Sequence, residues 1–418
     1  MNRPQVPAHI RSDRNVRYGE ERLPRYTSYP TAPYFSDAIS QQTYRQWLAS
    51  IPDERTVSIY LHIPFCRSMC WYCGCNTTVA RRSEPVAEYL AALRREVDIV
   101  ASHIGRPLKV TQVHFGGGIP TIVAPAQFTE PMNLLKQRFT LVPTAEVAVE
   151  IDPRTLTDEM MLELGASGVT RVSLGVQSFD PVVQQAINRV QSFEATAAAT
   201  EGLRAAGVRG INFDLIYGLP HQTVASCFDT VHKCLQLRPD RLSVFGYAHV
   251  PTFKKHQHKI AEATLPDGAD RHLQANMIAF CLTTAGYRQI GLDHFALPED
   301  SMATAQAAGK LHRNFQGYIT DISDILIGFG ASAIGHLDQG YIQNEVATRS
   351  YCTQINRGDL ANRKGYALTA DDRLRANIIE RIMCDFRVDM RDVCSKHGTT
   401  PDTVLQSASR LHTVRAAR

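Results

Sequence analysis

The chain has 418 residues, of which 44% are hydrophobic and 21% are charged, and its formal net charge is +4. These values are typical of a folded globular protein of two or three domains, and they exclude disordered, collagen-like and coiled-coil chains. The positive charge is too small for a dedicated nucleic-acid-binding protein, so no nucleic-acid partner is expected.

Two segments bear on location. The N-terminal residues lack the apolar segment of a secretory signal, and Asp13, Glu20 and Glu21 interrupt their arginines, unlike a mitochondrial presequence. The most apolar later stretch, 325–335, is shorter than the roughly 18 residues that a membrane span needs. We therefore expect a cytoplasmic protein with no membrane span.

Short apolar segments alternate with amphipathic ones from residue 57 onward. The predicted strands are 57–63, 109–115, 146–151, 170–176, 210–217 and 241–247, with a weaker strand at 287–295. The predicted helices lie near 86–104, 125–138, 157–167, 193–206, 223–237 and 270–285. This alternation predicts an α/β fold of parallel strands with right-handed crossovers, and six repeats favour a partial (β/α)6 TIM-like barrel over a doubly wound sheet.

Two regions flank this barrel, which is predicted to occupy residues 51–335. An N-terminal extension, 1–50, is rich in Arg, Tyr and Pro and is expected to wrap over the barrel. A smaller, mainly helical C-terminal domain is expected over 336–418, where Thr369 and Asp372 have the spacing of a capping box.

The segment HIPFCRSMCWYCGCNT carries the strongest chemical signal. Cys66, Cys70 and Cys73 form a CxxxCxxC pattern just after the first predicted strand, where three thiolates can converge on one metal centre. Zinc is an alternative, but no second Cys/His pair follows to complete a closed site. Cys75 is a poor fourth ligand for an iron–sulfur cluster, since only one residue separates it from Cys73. A three-cysteine cluster leaves one iron open to a small molecule.

Polar and glycine residues follow other predicted strands. The GGGIPT segment, 116–121, follows the second strand, and its glycines let the backbone approach a ligand closely. Further polar residues lie at or just beyond strand ends: Glu150, Asp152, Gln177, Arg189, Asp214, Tyr247 and His249. In a barrel these positions share one rim, so they predict a ligand site there.

The CxxxCxxC pattern after the first strand of a βα repeat resembles the radical S-adenosylmethionine (SAM) superfamily. This resemblance implies a [4Fe–4S] cluster that three thiolates hold, with SAM on the fourth iron. It also implies that a 5′-deoxyadenosyl radical derived from SAM, rather than a side chain, abstracts hydrogen.

Several strings resemble one family within it more closely, the oxygen-independent coproporphyrinogen III oxidases. They are PRYTSYPTA (24–32), YLHIPFC (60–66), CWYCGCN (70–76), NFDLIYGLP (212–220), DRLSVFGYAHVP (240–251) and HRNFQGYIT (312–320). The resemblance covers about residues 20–400. It implies oxidative decarboxylation of two propionates of coproporphyrinogen III to vinyl groups, which gives protoporphyrinogen IX in haem biosynthesis.

The family's cofactor contacts can be carried over position by position. Those implied to lie near a first SAM are Tyr60, Gly117, Glu150 and Ile334. Those implied near a second SAM are Tyr72, Gly118, Ile119, Gln177, Arg189, Asp214 and Ala248. Ile119 departs from the family's usual threonine and removes a hydroxyl, whereas Tyr72 replaces another aromatic residue.

The resemblance also implies partners. A tetra-anionic substrate calls for guanidinium groups, and Arg25, within a family string, is the candidate, with residues 20–32 as a possible lid. A low-potential electron donor protein is implied, and we expect a monomer. The C-terminal domain is expected to be shortened relative to family members. Two alternatives stay open: a haem chaperone of the same superfamily, and a methyltransferase or cyclopropanase that uses two SAM molecules.

Overall fold

The structure, a computed structural model, describes residues 28–315, 317–321 and 323–405. Twelve strands form one sheet in the order β16-β15-β14-β13-β1-β4-β5-β6-β7-β8-β10-β9, with two small two-stranded sheets, β2-β3 and β11-β12. The strands are β1 Thr56–Ile63, β2 Phe65–Cys66, β3 Thr78–Val79, β4 Lys109–Gly117, β5 Thr140–Ile151, β6 Arg171–Gln177, β7 Gly210–Tyr217, β8 Arg241–Gly246, β9 Arg288–Ile290, β10 His294–Ala296, β11 His312–Asn314, β12 Gly317–Ile319, β13 Ile325–Phe329, β14 Ile334–Leu337, β15 Gly340–Asn344 and β16 Asn362–Ala367.

Helices connect the strands. They are α1 Gln41–Ala49, α2 Glu84–Ile104, α3 Pro125–Arg138, α4 Asp158–Ala166, α5 Pro181–Ala186, α6 Phe193–Ala205, α7 Val224–Leu237, α8 Gly268–Thr284, α9 Ser301–Ala307, α10 Thr348–Asn356, α11 Ala370–Asp385 and α12 Met390–Lys396. Within the described ranges, none of these helices is both long and apolar enough to cross a membrane.

The partial barrel predicted from the strand–helix alternation is confirmed. Strands β1, β4, β5, β6, β7 and β8 pair in parallel and in chain order, and the sheet has two open edges. The predicted element at 287–295 is instead a hairpin, because the chain reverses at Gly291, whose φ is +51°, and β9 and β10 pair antiparallel.

The strands alternate apolar and polar side chains, and this alternation gives the sheet two different faces. On β1, Ile59 and Leu61 belong to the hydrophobic core that the helices cover. Ser58, Tyr60 and His62 point to the other face, the inside of the barrel. The inner face is therefore lined by polar groups, which suits a site for a polar ligand.

The sheet continues beyond the six repeats. Strand β13 pairs in parallel with β1, and β14, β15 and β16 then add antiparallel strands at that edge. Residue 336, the predicted start of the C-terminal domain, therefore falls inside β14. Helices α11 and α12 follow the last strand, and the capping box of Thr369 and Asp372 at the start of α11 is confirmed.

The described part of the N-terminal extension packs against this added edge. The Ser36 N–H donates a hydrogen bond to the Gly365 carbonyl of β16 at 3.0 Å. Helix α1 buries Tyr44, Trp47 and Leu48 in the main core. This segment is thus an integral layer of the fold.

Candidate functional site

A cavity of about 390 Å³ lies at the carboxyl ends of the parallel strands, where the barrel rule places ligand sites. The side chains of Cys66, Cys70, Cys73 and Cys75 all line it. Strands β4 to β8 contribute the opposite wall. The predicted gathering of the cysteine loop and the strand ends around one space is therefore present in the fold.

Short-range pairing fixes the start of the cysteine loop. Cys66 ends β2, and its carbonyl accepts a hydrogen bond from the Ala80 N–H at 2.9 Å. The Arg67 guanidinium donates to the Ala80 and Ile122 carbonyls at 3.2 and 3.1 Å. These bonds close the loop at its base, and all four cysteines of the loop line the cavity.

Residues that the sequence analysis did not single out hold the far side of the loop. Lys254 Nζ donates to the Cys75 carbonyl at 2.9 Å, and His256 Nε2 donates to the Cys73 carbonyl at 2.7 Å. Gln257 Nε2 donates to the Tyr72 carbonyl at 3.0 Å. No local pattern in 254–257 indicates this role, because the contacts span more than 170 residues.

An ion-paired cluster lies beside Cys70. Asp152 is buried and is bridged by Arg154 and Arg189, at 2.6 Å and 3.2 Å. Both arginines also donate to Cys70 Sγ, at 3.7 Å from Arg154 and 3.6 Å from Arg189. Burial opposes ionisation of Asp152, but the two guanidinium groups outweigh it and lower the pKa of the carboxyl. Arg154 was missed by the sequence analysis, although it follows a strand end.

The glycine run has a structural reason of its own. Gly117 has a φ of +108°, and a Cβ there would lie 2.4 Å from the His62 ring. A Cβ on Gly118 would lie 2.5 Å from the Phe65 carbonyl oxygen. The glycines therefore let β4 pack closely on the chain that leads into the cysteine loop, and this packing needs no ligand.

Glu150 is placed against this glycine run. Its carboxylate accepts hydrogen bonds from the Gly117 N–H at 3.0 Å and from His114 Nε2 at 3.3 Å. Burial opposes its charge, but these donors prevail and lower the pKa of Glu150. The cavity thus contains a fixed negative charge near the glycine backbone.

Tyr60 and Ile334 are partly buried and do not line the cavity. The Tyr60 hydroxyl donates to His62 Nδ1 at 2.9 Å, and burial raises the pKa of Tyr60 far above its usual value. A Cβ on Gly328, which pairs with Tyr60, would lie 3.0 Å from the Ile334 carbonyl. Tyr60 lies beside Glu150, since a Cβ on Gly116 would meet both side chains, whereas Ile334 lies on β14, beyond β13.

The other predicted residues do line the cavity: Tyr72, Gly117, Gly118, Ile119, Glu150, Gln177, Arg189, Asp214 and Ala248. Gln177 Oε1 and Arg189 Nε are buried without a hydrogen-bond partner in the described chain, so both have capacity for a ligand. Asp214 accepts from Ser173 Oγ at 2.7 Å, while burial and the charge of Glu150 raise its pKa.

The thiols fit a positively charged metal centre. Burial, and then the neighbouring Cys73 and Cys70, raise the pKa of Cys66 to about 12. A hydrogen bond from Cys75 lowers the pKa of Cys73 to about 6. Several thiolates this close repel one another unless a cationic centre compensates, and soft thiolates are the preferred ligands of iron–sulfur clusters.

Arg25, the predicted substrate residue, and most of the predicted lid lie outside the described residues.

The fold and this site are those of the radical SAM class, and residues 60–234 match the sequence pattern of the radical SAM superfamily. A radical SAM protein uses a [4Fe–4S] cluster and SAM as cofactors, which confirms the predicted cluster over the zinc alternative.

Relatives define the family more narrowly. An oxygen-independent coproporphyrinogen III oxidase from Bradyrhizobium diazoefficiens is 61% identical over 96% of this chain and 89% of its own length. One from Escherichia coli K12 is 43% identical over 88% of this chain and 80% of its own. The solved coproporphyrinogen III oxidase of E. coli, described as a radical SAM enzyme, superposes with a TM-score of 0.85 at 41% identity, over 89% of this chain and 86% of that one. The chain belongs to the oxygen-independent coproporphyrinogen III oxidase family.

Proposed function

We propose that this protein converts coproporphyrinogen III to protoporphyrinogen IX without oxygen, by oxidative decarboxylation of two propionate side chains. The observation that carries the proposal is the cavity at the strand ends. It combines the four cysteines of one loop with a polar wall, in a chain that matches the curated oxidases over most of its length.

Cys66, Cys70 and Cys73 would hold the cluster, and Cys75 would not. Cys75 hydrogen-bonds to Cys73 and is separated from it by Gly74 alone, so the two thiols are poorly placed to bind different irons. When bound, the cluster and SAM supply an electron and a 5′-deoxyadenosyl radical that takes hydrogen from the substrate. The chain's own residues position these groups and exclude water from them.

The cavity wall offers complementary groups to SAM. We assign Gly117 and Glu150 in this wall, together with Tyr60 and Ile334 outside it, to a first SAM, because Glu150 presents a carboxylate and Gly117 a backbone surface with no side chain. We assign the remaining predicted residues to a second SAM: Tyr72, Gly118, Ile119, Gln177, Arg189, Asp214 and Ala248. The unpartnered Gln177 Oε1 and Arg189 Nε support this second set, since a zwitterionic cofactor with hydroxyl groups supplies both donors and acceptors.

The reaction also needs partners outside this chain. We propose that a low-potential electron donor protein reduces the cluster, that the enzyme acts as a monomer, and that it works in the cytoplasm. Within the chain, Arg25 remains the proposed substrate contact in the N-terminal extension.

The test is an anaerobic incubation of the reconstituted protein with SAM, a reductant and coproporphyrinogen III. Protoporphyrinogen IX and carbon dioxide are the expected products. The protoporphyrinogen IX is measured by chromatography after its oxidation to the porphyrin. Retention of haem without turnover would indicate a haem chaperone, and a methylated product would indicate a methyltransferase. Either result would refute the proposed function.

A further inference from the structure

A second cavity, of about 450 Å³, lies on the inner side of the sheet and takes no part in the site described above. The hairpin β11-β12, helix α11 and strands β13 to β15 enclose it. Its wall includes Ser58, Arg313, Tyr341 and Glu380. The cavity is large enough for part of a sizeable ligand.

Arg313 is the unusual residue in this wall. Its Nε and Nη1 atoms are buried and have no hydrogen-bond partner among the described residues. The guanidinium carbon lies 4.3 Å from the centroid of the Tyr318 ring, and the Arg313 N–H donates to Glu380 Oε1 at 3.1 Å. The Tyr318 ring and the backbone bond to Glu380 thus position a guanidinium group whose buried N–H donors lack an acceptor. Such donors carry a large desolvation cost until they form hydrogen bonds.

The carboxylates around this cavity already have other partners. Asp324 and Asp338 pair with Arg55 at 3.3 and 3.1 Å. Glu380 pairs with His312 at 3.2 Å and also lies 3.4 Å from Arg381. Because no carboxylate hydrogen-bonds to the Arg313 guanidinium in the described chain, the cavity offers a cation to an incoming anion.

This cavity and the cysteine site share one face of the sheet. Ser58 lines the cavity, and Tyr60, next to the wall of the cysteine site, follows two residues later on the same face of β1. Two residues of a strand span about 7 Å. The two cavities share no lining residue among those described, and β1 brings them to neighbouring positions on the inner face of the sheet.

We propose that Arg313 binds a propionate carboxylate of the porphyrinogen, one of those retained in the product. The proposal rests on the proposed function and adds a specific anchor to it. Retention follows from position, since the anchored carboxylate would lie in the second cavity while the reacting propionates face the cysteine site. A planar guanidinium group binds a carboxylate with directional hydrogen bonds, so Arg313 would fix the orientation of the macrocycle.

The test compares Arg313→Gln and Arg313→Lys with Arg349→Gln, a control at an exposed arginine on α10. Binding of coproporphyrin III, the stable oxidised analogue, is measured by fluorescence quenching, with its tetramethyl ester as the uncharged probe. Arg313→Gln should weaken binding of the tetra-acid by about 10- to 100-fold, the loss expected for charged hydrogen bonds. Arg313→Lys should restore part of this affinity, and binding of the ester should not respond to either change.

Turnover supplies a second measurement. Arg313→Gln should raise KM for coproporphyrinogen III, while its iron content and its SAM cleavage in the absence of substrate stay at the level of the control. Unchanged affinity for the tetra-acid in a folded Arg313→Gln protein would overturn the anchor and leave the proposed function intact. A wild-type protein that binds the porphyrin but forms no protoporphyrinogen IX would refute the proposed function instead.

Discussion

The Nη2 group of Arg154 donates a hydrogen bond to Cys70 Sγ over 3.7 Å while the same guanidinium group binds Asp152. Hydrogen bonds and net charge near the sulfur ligands set the reduction potential of an iron–sulfur cluster. A cation beside Cys70 stabilises the reduced cluster, which carries one more negative charge. We therefore expect Arg154→Gln to make the midpoint potential more negative.

A redox titration followed by electron paramagnetic resonance measures this shift. Arg154→Lys is the matched variant, because it keeps the charge and loses only the planar hydrogen bonds, so its shift should be smaller. Equal potentials in the wild type and in Arg154→Gln, at equal iron content, would show that Arg154 does not act on the cluster.

The cysteine assignment predicts a difference between two thiols in one loop. Cys70→Ser should lose the cluster, whereas Cys75→Ser should retain it, because only the first removes an iron ligand. Iron content and visible absorbance after anaerobic reconstitution measure both outcomes. Equal loss in the two variants would mean that Cys75 is also a ligand.

Close backbone packing predicts that Gly117 does not tolerate a side chain. Gly117→Ala would place a methyl group against His62 at a left-handed φ, and we expect a loss of about 1–3 kcal/mol in the free energy of unfolding. Gly74→Ala is the control, because a Cβ there meets no atom within 4 Å. Chemical denaturation measures both, and equal stability of the two variants would contradict the packing argument.

A buried carboxyl predicts a pH dependence of stability. Glu96 on α2 accepts hydrogen bonds from the Tyr351 hydroxyl at 2.6 Å, the Gly330 N–H at 2.7 Å and Asn344 Nδ2 at 2.7 Å. Burial raises its pKa to about 7, although these donors oppose the rise. The folded chain then binds the Glu96 proton more tightly than the unfolded chain does. The free energy of unfolding therefore falls as the pH rises from the pKa of the unfolded chain to about 7. The loss is about 1.4 kcal/mol for each unit of difference between the two pKa values.

Glu96→Gln removes this titration. The variant should be less stable than the wild type at pH 5, because its amide NH2 group replaces an oxygen that accepts a hydrogen bond, and the gap between the two proteins should narrow toward pH 7 as the wild-type carboxyl ionises. Denaturant unfolding at both pH values measures the gap. A gap that stays constant over this range would show that Glu96 does not titrate there.

The sequence was sufficient for features that short-range patterns encode. Strand–helix alternation predicted the parallel barrel strands and the helices between them, since apolar spacing reports which face of an element is buried. Cys66, Cys70 and Cys73 were found because their spacing within eight residues is itself the chemical signal, and Glu150 and Gln177 were found because parallel strand ends share one rim.

Other features depend on contacts between distant residues, which leave no local pattern. Strands β14 to β16 join the sheet through β13, which pairs with β1. The paired residues Val57 of β1 and Ile325 of β13 lie 268 residues apart in the chain. Three further features depend on such distant contacts. They are the hydrogen bond from Arg154 to Cys70, the hydrogen bond from His256 to the cysteine loop, and the burial of the Arg313 guanidinium. The local sequence around an arginine or a histidine does not show whether the side chain will be exposed or buried. Only the folded chain decides which of these side chains is buried, which groups it contacts and which of its hydrogen-bond donors remain without an acceptor.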